Sequence, residues 1–216
     1  DVSLCLQTIA PTAKIHPTVV IDETKGPVVI EDNVTIGPYC ILSGPVAIGS
    51  DTIVKPLTTI GTSAIGPWCK IAGEIEDSVI HGYSNKQHDG FLGHSYLGEW
   101  VNLGAGTTTS DLKNNYDHVN VELPWGKEDS QRTFLGLLMG DHSKSAIGTR
   151  FSTGTVCGVS SNIVTQGAPT KSIGSFRWLN DTYDTDKAVE VARTVMARRN
   201  IVLGQETEAL LRYLAG

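Results

Sequence analysis

An aliphatic side chain recurs at every sixth position between residues 30 and 60. The series is Ile30, Ile36, Leu42, Ile48, Val54 and Ile60, and glycine directly follows three of its members, at Gly37, Gly49 and Gly61. A period of six matches neither an α-helix nor a simple alternating strand. It is typical of hexapeptide β-helices, in which each repeat is one short strand plus one corner.

The same period returns later in the chain, in Ile65–Gly66, Leu92–Gly93, Leu97–Gly98, Leu103–Gly104, Met139–Gly140 and Ile147–Gly148. Three repeats close one triangular coil, the aliphatic residue points inward, and stacked coils bury a core that no single coil buries alone. We therefore predict an all-β fold, a left-handed parallel β-helix of hexapeptide repeats over residues 1–180.

Two regions interrupt the period. Residues 110–133 are polar and irregular, with a short alternating "HVNVEL", and predict a loop or hairpin that leaves a corner, where repeat proteins often carry function. From Asp184 onward, apolar residues fall at helical spacing, and Gly204 separates a second such run. Residues 181–216 thus predict a short C-terminal α-helical tail, interpreted as a cap over the last coil; a substrate or partner contact is the alternative.

Composition excludes several classes of function. The net charge is −6 and no Lys/Arg run exceeds two residues, which argues against nucleic acid as a partner. No apolar run approaches the length of a membrane span, and the first residues lack the pattern of a signal peptide, so we expect none there. The four cysteines, Cys5, Cys40, Cys69 and Cys157, are far apart and predict thiols in a reducing, cytoplasmic setting.

The segment "HDGFLGHSYLGEWVNLGAGT" resembles the acetyltransferase half of the bifunctional glucosamine-1-phosphate N-acetyltransferase / UDP-N-acetylglucosamine pyrophosphorylase family. That family has a histidine, an aromatic residue three positions later, and an asparagine fourteen positions after the histidine. His88, Phe91 and Asn102 match this spacing, whereas His94 lies only eight residues before Asn102. The resemblance therefore implies His88, and not His94, as the general base.

The segments "TSDLKNNY" and "MGDHSKSAIGTRFSTGTV" extend the resemblance to the variant sugar nucleotidyltransferase branch of this family. It implies that Glu74, fourteen residues before His88, orients the base, and that Lys55 contacts a phosphate. Glu76 stands where the family has a lysine, and we consider Lys86 as its replacement. The sequence has no glycine-rich nucleotide loop near its start, so we expect no UDP-sugar synthesis by this chain alone.

The implied reaction is acetyl transfer from acetyl-CoA to an amino-sugar phosphate such as glucosamine 1-phosphate. It requires a proton acceptor for the amine, for which imidazole is suited, and donors for the developing oxyanion. We expect Gly104 and Ala105 to supply these donors and Asn102, with Phe91, to hold the substrate. The other candidates for cofactor binding are Lys144, Thr149, Arg150 and Arg177. The resemblance also implies a homotrimer with sites between subunits.

Two other functions are consistent with the sequence. His81, His88 and His94 lie close together, as in a metal site, but their intervals of seven and six differ from those of hexapeptide carbonic anhydrases. A non-catalytic oligomerisation or regulatory module of a nucleotidyltransferase is the other alternative, favoured by Glu76 and by Phe91 in place of a tyrosine. Thiol release from acetyl-CoA distinguishes an enzyme from such a module, and bound zinc would identify the metal site.

Overall fold

The chain folds into a parallel β-helix with three faces. The computed structural model describes residues 8–165 and 167–216, so Cys5 and the start of the predicted 1–180 domain lie outside the described residues. Each coil visits a ten-stranded sheet (face A), then a five-stranded sheet (face B), then an eight-stranded sheet (face C). We call the junctions between them corners AB, BC and CA.

The strands are short and most contain two or three residues. Face A comprises β1 (Lys14–Ile15), β4 (Thr35–Ile36), β7 (Ile53–Val54), β10 (Lys70–Ile71), β13 (Asn85–Lys86), β16 (Asn102–Leu103), β21 (Lys144–Ser145), β24 (Asn162–Ile163), β26 (Arg177–Trp178) and the antiparallel β27 (Asp181–Thr182). Face B comprises β2 (Val20–Asp22), β5 (Ile41–Ser43), β8 (Thr59–Gly61), β11 (Glu74–Glu76) and β14 (Phe91–Gly93).

Face C comprises β3 (Val28–Ile30), β6 (Val46–Ile48), β9 (Ala64–Ile65), β12 (Val79–Ile80), β15 (Tyr96–Leu97), β20 (Leu137–Met139), β23 (Thr155–Cys157) and β25 (Ser172–Ile173). The pair β17 (Thr108–Thr109) and β22 (Arg150–Phe151) follows beyond β14, where the Phe91 N–H donates to the Thr108 hydroxyl.

The six-residue period marks the inward positions, as the sequence predicts. All six members of the series between residues 30 and 60 are at most 1% exposed and belong to one continuous core. Register stacks them along the helix axis, with Ile36 over Val54 on face A and Leu42 over Ile60 on face B. Because each such side chain contributes about 1.5–3 kcal/mol when it leaves water, stacking coils stabilises what a single coil cannot.

Residues 110–133 leave the solenoid at corner BC and form a hairpin. Strands β18 (Asn120–Leu123) and β19 (Gly126–Asp129) pair antiparallel, and an isolated bridge joins Leu112 to Phe134 at the base of this excursion. The predicted loop or hairpin is therefore present and returns to face C at β20.

The C-terminal region forms helices α1 (Thr185–Ala197) and α2 (Gln205–Leu214), and the Asp184 side chain caps α1. Their apolar residues pack with Trp100 and Phe176, which lie at corner CA. A cavity of about 400 Å³ at the end of the last coil is lined by residues 162–180, without the helices. The helices therefore pack on corner CA, and their role as a cap over the last coil stays a prediction. Among the described residues, no helix is long and apolar enough to cross a membrane.

Candidate functional site

His88 lies at corner AB, between β13 and β14, and its side chain is exposed. In the described part of the chain, no side-chain hydrogen bond involves the His88 imidazole, so both ring nitrogens are available to a ligand. The corner of the next coil, at Gly106 and Thr107, packs directly against this corner, because a Cβ added to Gly90 would lie 2.1 Å from the Thr107 carbonyl oxygen. The predicted base is thus presented on an exposed but tightly packed corner.

The backbone that carries His88 is held from inside the coil by Lys86. The Lys86 side chain is only 2% exposed, and its ammonium donates to the main-chain oxygens of His88 at 2.8 Å and Ala72 at 3.0 Å. Desolvation lowers the pKa of Lys86 to about 8. This ammonium points away from the surface and does not reach a phosphate there, so the placement does not fit the substrate contact that the sequence suggests for Lys86.

A shortened corner explains why a lysine occupies this interior position. Val54 and Ile60 are six residues apart across their corner, whereas Ile71 and Ile75 are only four apart. In the longer corner, the Thr58 hydroxyl donates to the Lys55 carbonyl oxygen at 2.7 Å. The shorter corner has no such hydroxyl, and the Lys86 ammonium satisfies the Ala72 oxygen instead.

Glu74 and Phe91 lie side by side on face B. The two residues are paired in register between β11 and β14, and the Glu74 side chain is exposed. Among the described residues no hydrogen bond joins the Glu74 carboxylate to His88, which sits at the adjacent corner. Glu76 is nearby, and its carboxylate lies over Gly61. Desolvation, reinforced by the charges of Asp77 and Glu74, raises the pKa of Glu76.

Asn102 lies on face A, in register with Asn85 on one side and Lys144 on the other. The Asn85 amide donates to the Asn102 oxygen at 3.4 Å, and the Arg199 guanidinium donates to the Asn85 oxygen at 3.1 Å. Arg199 follows α1 in the chain. The C-terminal region therefore reaches the residue beside a predicted substrate ligand, which sequence reasoning missed because nothing in the local pattern fixes where α1 packs.

Some of the predicted cofactor-binding residues already make hydrogen bonds within the protein, and others have groups that are free to bind a ligand. The Gly104 N–H already donates to the Ser145 main-chain oxygen at 3.1 Å, and a Cβ at Gly104 would lie 2.6 Å from Ala146. Glycine at this position therefore permits close coil packing, and its N–H is not free to stabilise an oxyanion. Thr149 is fully buried, and its hydroxyl donates to the Ala146 oxygen at 2.8 Å.

In the described chain, the Ala105 N–H makes no hydrogen bond, so it remains available as an oxyanion donor. Arg150 is exposed on β22, and Lys144 is half-buried on face A with its ammonium donating to the His142 oxygen at 2.7 Å. Desolvation lowers the pKa of Lys144 to about 8. Arg177 lies at the far end of face A, where its guanidinium donates to the Asn180 oxygen and lines the terminal cavity.

His94 lies at corner BC and joins both ends of the excursion. Its Nδ1 lies 2.8 Å from Asp111 Oδ2, its Nε2 lies 3.6 Å from Asp77 Oδ2, and its ring stacks on Phe134 at a centroid distance of 5.0 Å. This is a histidine oriented by a carboxylate, a pairing that sequence spacing assigned to Glu74 and His88. Asp77, His94 and Asp111 are each seventeen residues apart, the one-coil offset that also relates Asn85 to Asn102, so the repeat phase could have placed these carboxylates beside the His94 ring.

His81, His88 and His94 occupy three different corners, CA, AB and BC respectively. These corners lie on different sides of the β-helix, so the three histidines of one chain do not form a common set of metal ligands. Within residues 8–165 and 167–216, no group of three or more His, Cys, Asp or Glu side chains is arranged to hold a metal ion.

Comparison with known proteins places this geometry among hexapeptide-repeat proteins. A family model described as bacterial transferase hexapeptide (six repeats) matches residues 27–62. The bifunctional protein GlmU of Thermotoga petrophila is 31% identical over 148 residues, which cover 68% of this chain and 27% of that protein. The bifunctional protein GlmU of Rippkaea orientalis is 43% identical over 93 residues, or 42% of this chain and 19% of that protein.

Among solved structures, UDP-N-acetylglucosamine O-acyltransferase (LpxA) from Moraxella catarrhalis is similar to this chain at 16% sequence identity and a TM-score of 0.42, covering 96% of this chain and 91% of that one. The first curated relatives are much longer than the matched region, which spans about a quarter of their length, 25% and 27%.

Proposed function

We propose that this chain, which belongs to the hexapeptide-repeat proteins related to GlmU, is an acetyl-CoA-dependent N-acetyltransferase that acts on an amino-sugar phosphate such as glucosamine 1-phosphate. The observation that carries the proposal is the placement of His88. Its imidazole is exposed and without a side-chain partner in the described chain, while its backbone is fixed by the buried Lys86 ammonium at 2.8 Å. A general base needs both access to the amine and a fixed position.

In the proposed reaction the neutral amine of the sugar attacks the thioester carbonyl of acetyl-CoA. The C–N bond forms and a His88 ring nitrogen accepts the proton that the amine loses. The C–S bond then breaks as the tetrahedral intermediate collapses, and the thiolate of CoA takes up a proton and leaves as the free thiol. Base catalysis of this kind contributes roughly 10²–10⁴ in rate.

Face B and face A supply the surroundings of the base. Phe91 and Glu74 form an acceptor surface on face B next to corner AB. In the proposal Glu74 orients the imidazole once substrate is bound, and Asn102 on face A holds the sugar or the acyl carbonyl. The Ala105 N–H is the main-chain donor for the oxyanion, because the Gly104 N–H is engaged with Ser145.

Acetyl-CoA binding is assigned to the coils that follow His88. Lys144 and Arg150 present cationic groups there on faces A and B, and Arg177 lies farther along. Cationic side chains suit the phosphates of a nucleotide-like cofactor. The Thr149 hydroxyl serves the coil corner, so in this proposal Thr149 supports the groove without touching the cofactor.

We further propose a homotrimer in which face C of one copy packs on corner AB of the next. Face C carries an outward apolar column, in register from strand to strand: Val29, Ala47, Ala64, Val79, Tyr96, Leu138 and Val156. Corner AB exposes Leu57 and Ile147, which are 72% and 75% accessible. A three-fold assembly joins two different surfaces, and these two are apolar and complementary in chemistry. His88 would then face the neighbouring copy.

The test is release of free thiol from acetyl-CoA in the presence of glucosamine 1-phosphate, glucosamine or no acceptor. Acceptor-dependent release supports the enzyme. Absence of release with every amino sugar would favour the non-catalytic module. Release that depends on added zinc and stops with a chelator would favour the metal-dependent alternative.

A further inference from the structure

Two lysines of the solenoid and two arginines that follow α1 lie near one another at face A. Lys70 lies outward on β10, Lys55 lies one coil earlier at corner AB, and Arg198 and Arg199 follow directly after α1. We refer to these four residues as the cationic cluster. In the described part of the chain, none of the four forms a salt bridge, although the whole protein carries a net charge of −6.

Hydrogen bonds fix the position of Arg199 within the cluster. Its guanidinium donates to the Trp68 main-chain oxygen at 3.0 Å and to the Asn85 side-chain oxygen at 3.1 Å. Asn85 is the register partner of Lys70, so the Arg199 guanidinium contacts the strand next to that of Lys70. Both of these partners are neutral, which orients the arginine but leaves its charge uncompensated.

Lys70 lies within the electrostatic reach of the other three cations. The pKa of Lys70 is lowered first by desolvation and then by the positive charges of Arg199, Lys55 and Arg198. Glu99 lies close enough to act on the Cys69 thiol, as Arg199 does, but among the salt bridges of the described residues none joins it to the cluster. Lys70 and Arg199 are half-buried, and like charges that are partly removed from water repel one another, so a bound anion would stabilise them.

We propose that the cationic cluster binds a diphosphate group. The cluster extends from the coil of Lys55 to the coil of Asn85, two steps of about 4.8 Å between adjacent strands, which suits two linked phosphates better than one. Guanidinium and ammonium groups are the usual partners of phosphate oxygens. The diphosphate belongs either to acyl-CoA or to a nucleotide-linked sugar, since both contain this group.

Calorimetric titration with inorganic pyrophosphate at low salt tests the site without any acetyl transfer, so its failure is separate from failure of the proposed reaction. We expect saturable binding that weakens as salt is added and is about tenfold tighter than for inorganic phosphate. Lys70→Gln and Arg198→Gln should each weaken it roughly tenfold. Lys187→Gln is the matched control, because it removes one exposed charge from the other end of α1.

Titrations with UDP and with CoA then identify the source of the diphosphate. The true ligand should bind more tightly than pyrophosphate and should lose affinity in Lys70→Gln but not in Lys187→Gln. Absence of saturable pyrophosphate binding, equal affinity for phosphate and pyrophosphate, or identical affinities in Lys70→Gln and Lys187→Gln would each overturn the proposal.

Discussion

The ammonium of Lys86 donates a hydrogen bond of 2.8 Å to the main-chain oxygen of His88 from inside the coil. Its other acceptor, the Ala72 oxygen, belongs to the shortened corner of the preceding coil. A buried cation that is bonded to neutral carbonyls is unfavourable by itself, as its lowered pKa of about 8 indicates. Its contribution lies in tying together two corners, one of which carries His88.

The first prediction concerns stability against pH. Because the folded pKa of Lys86, about 8, lies below its ordinary value of 10.5, the unfolded chain binds more protons between these values. The parent protein should therefore gain stability as pH rises through this window. In Lys86→Met the increase in unfolding free energy with pH should be smaller by on the order of 1–2 kcal/mol. The contribution of Lys144, whose pKa is also lowered to about 8, should be the same in both proteins.

Urea unfolding at about pH 7.5 and about pH 9.5 measures this difference. A slope of stability against pH that is the same in parent and Lys86→Met would show that Lys86 does not titrate as its burial implies.

The second prediction concerns the position of His88. Lys86→Met should lower kcat for acetyl transfer by about tenfold to a hundredfold with little change in KM for acetyl-CoA, because a base displaced by a fraction of an ångström transfers protons poorly. Leu103→Met is the matched control, since Leu103 occupies the next inward position of face A. An equal loss of kcat in both variants would show that Lys86 contributes to the core in general and does not position His88.

Lys86 also shows where sequence reasoning on this fold succeeds and where it fails. The residue lies six positions after Ile80 and six before Leu92, so the repeat phase places it inside. Its chemical type places it outside, because lysine is almost never fully buried. Lys86 follows the repeat phase and is buried, because the Ala72 carbonyl oxygen of the shortened corner accepts a hydrogen bond from its ammonium.

The contacts that the C-terminal region makes with the coils could not be predicted from the repeat. The repeat predicted the core and the corners because each coil is in fixed register with the next. Arg199 reaches Asn85 only because α1 packs along corner CA. This placement is not encoded in a local period.

The third prediction concerns the base of the excursion. Asp111→Asn should weaken the 2.8 Å contact with His94 Nδ1 and destabilise the protein by about 1 kcal/mol. Limited proteolysis within residues 110–135 should become faster, since Asp111 and Phe134 both rest on His94. Asp129→Asn serves as control, because its contact with His118 at 3.2 Å lies on the exposed hairpin. Equal proteolysis of the two variants would contradict this role of His94.

The fourth prediction concerns assembly. Light scattering should report a trimer for the parent chain, and Val79→Glu on face C or Leu57→Glu at corner AB should yield monomers, because each buries a charge in an apolar contact. Val202→Glu is the control, since Val202 is 87% exposed and lies on neither surface. A trimer that survives both Val79→Glu and Leu57→Glu would place the interface elsewhere.

The last prediction separates the two histidines of the segment "HDGFLGH". His88→Ala should lower turnover with acetyl-CoA and glucosamine 1-phosphate by about 10²–10⁴, because it removes the only proton acceptor that the proposal places at corner AB. Its melting should change little, since the His88 side chain is exposed and makes no side-chain hydrogen bond with any described residue. His94→Ala should behave in the opposite way, with a clear loss of stability through Asp111 and Phe134 and a smaller loss of turnover.

Free-thiol release measures the turnover of both variants, and thermal melting measures their stability. Full turnover in His88→Ala with a large loss in His94→Ala would transfer the role of base to the Asp111–His94 pair, whose geometry already joins a carboxylate to an imidazole.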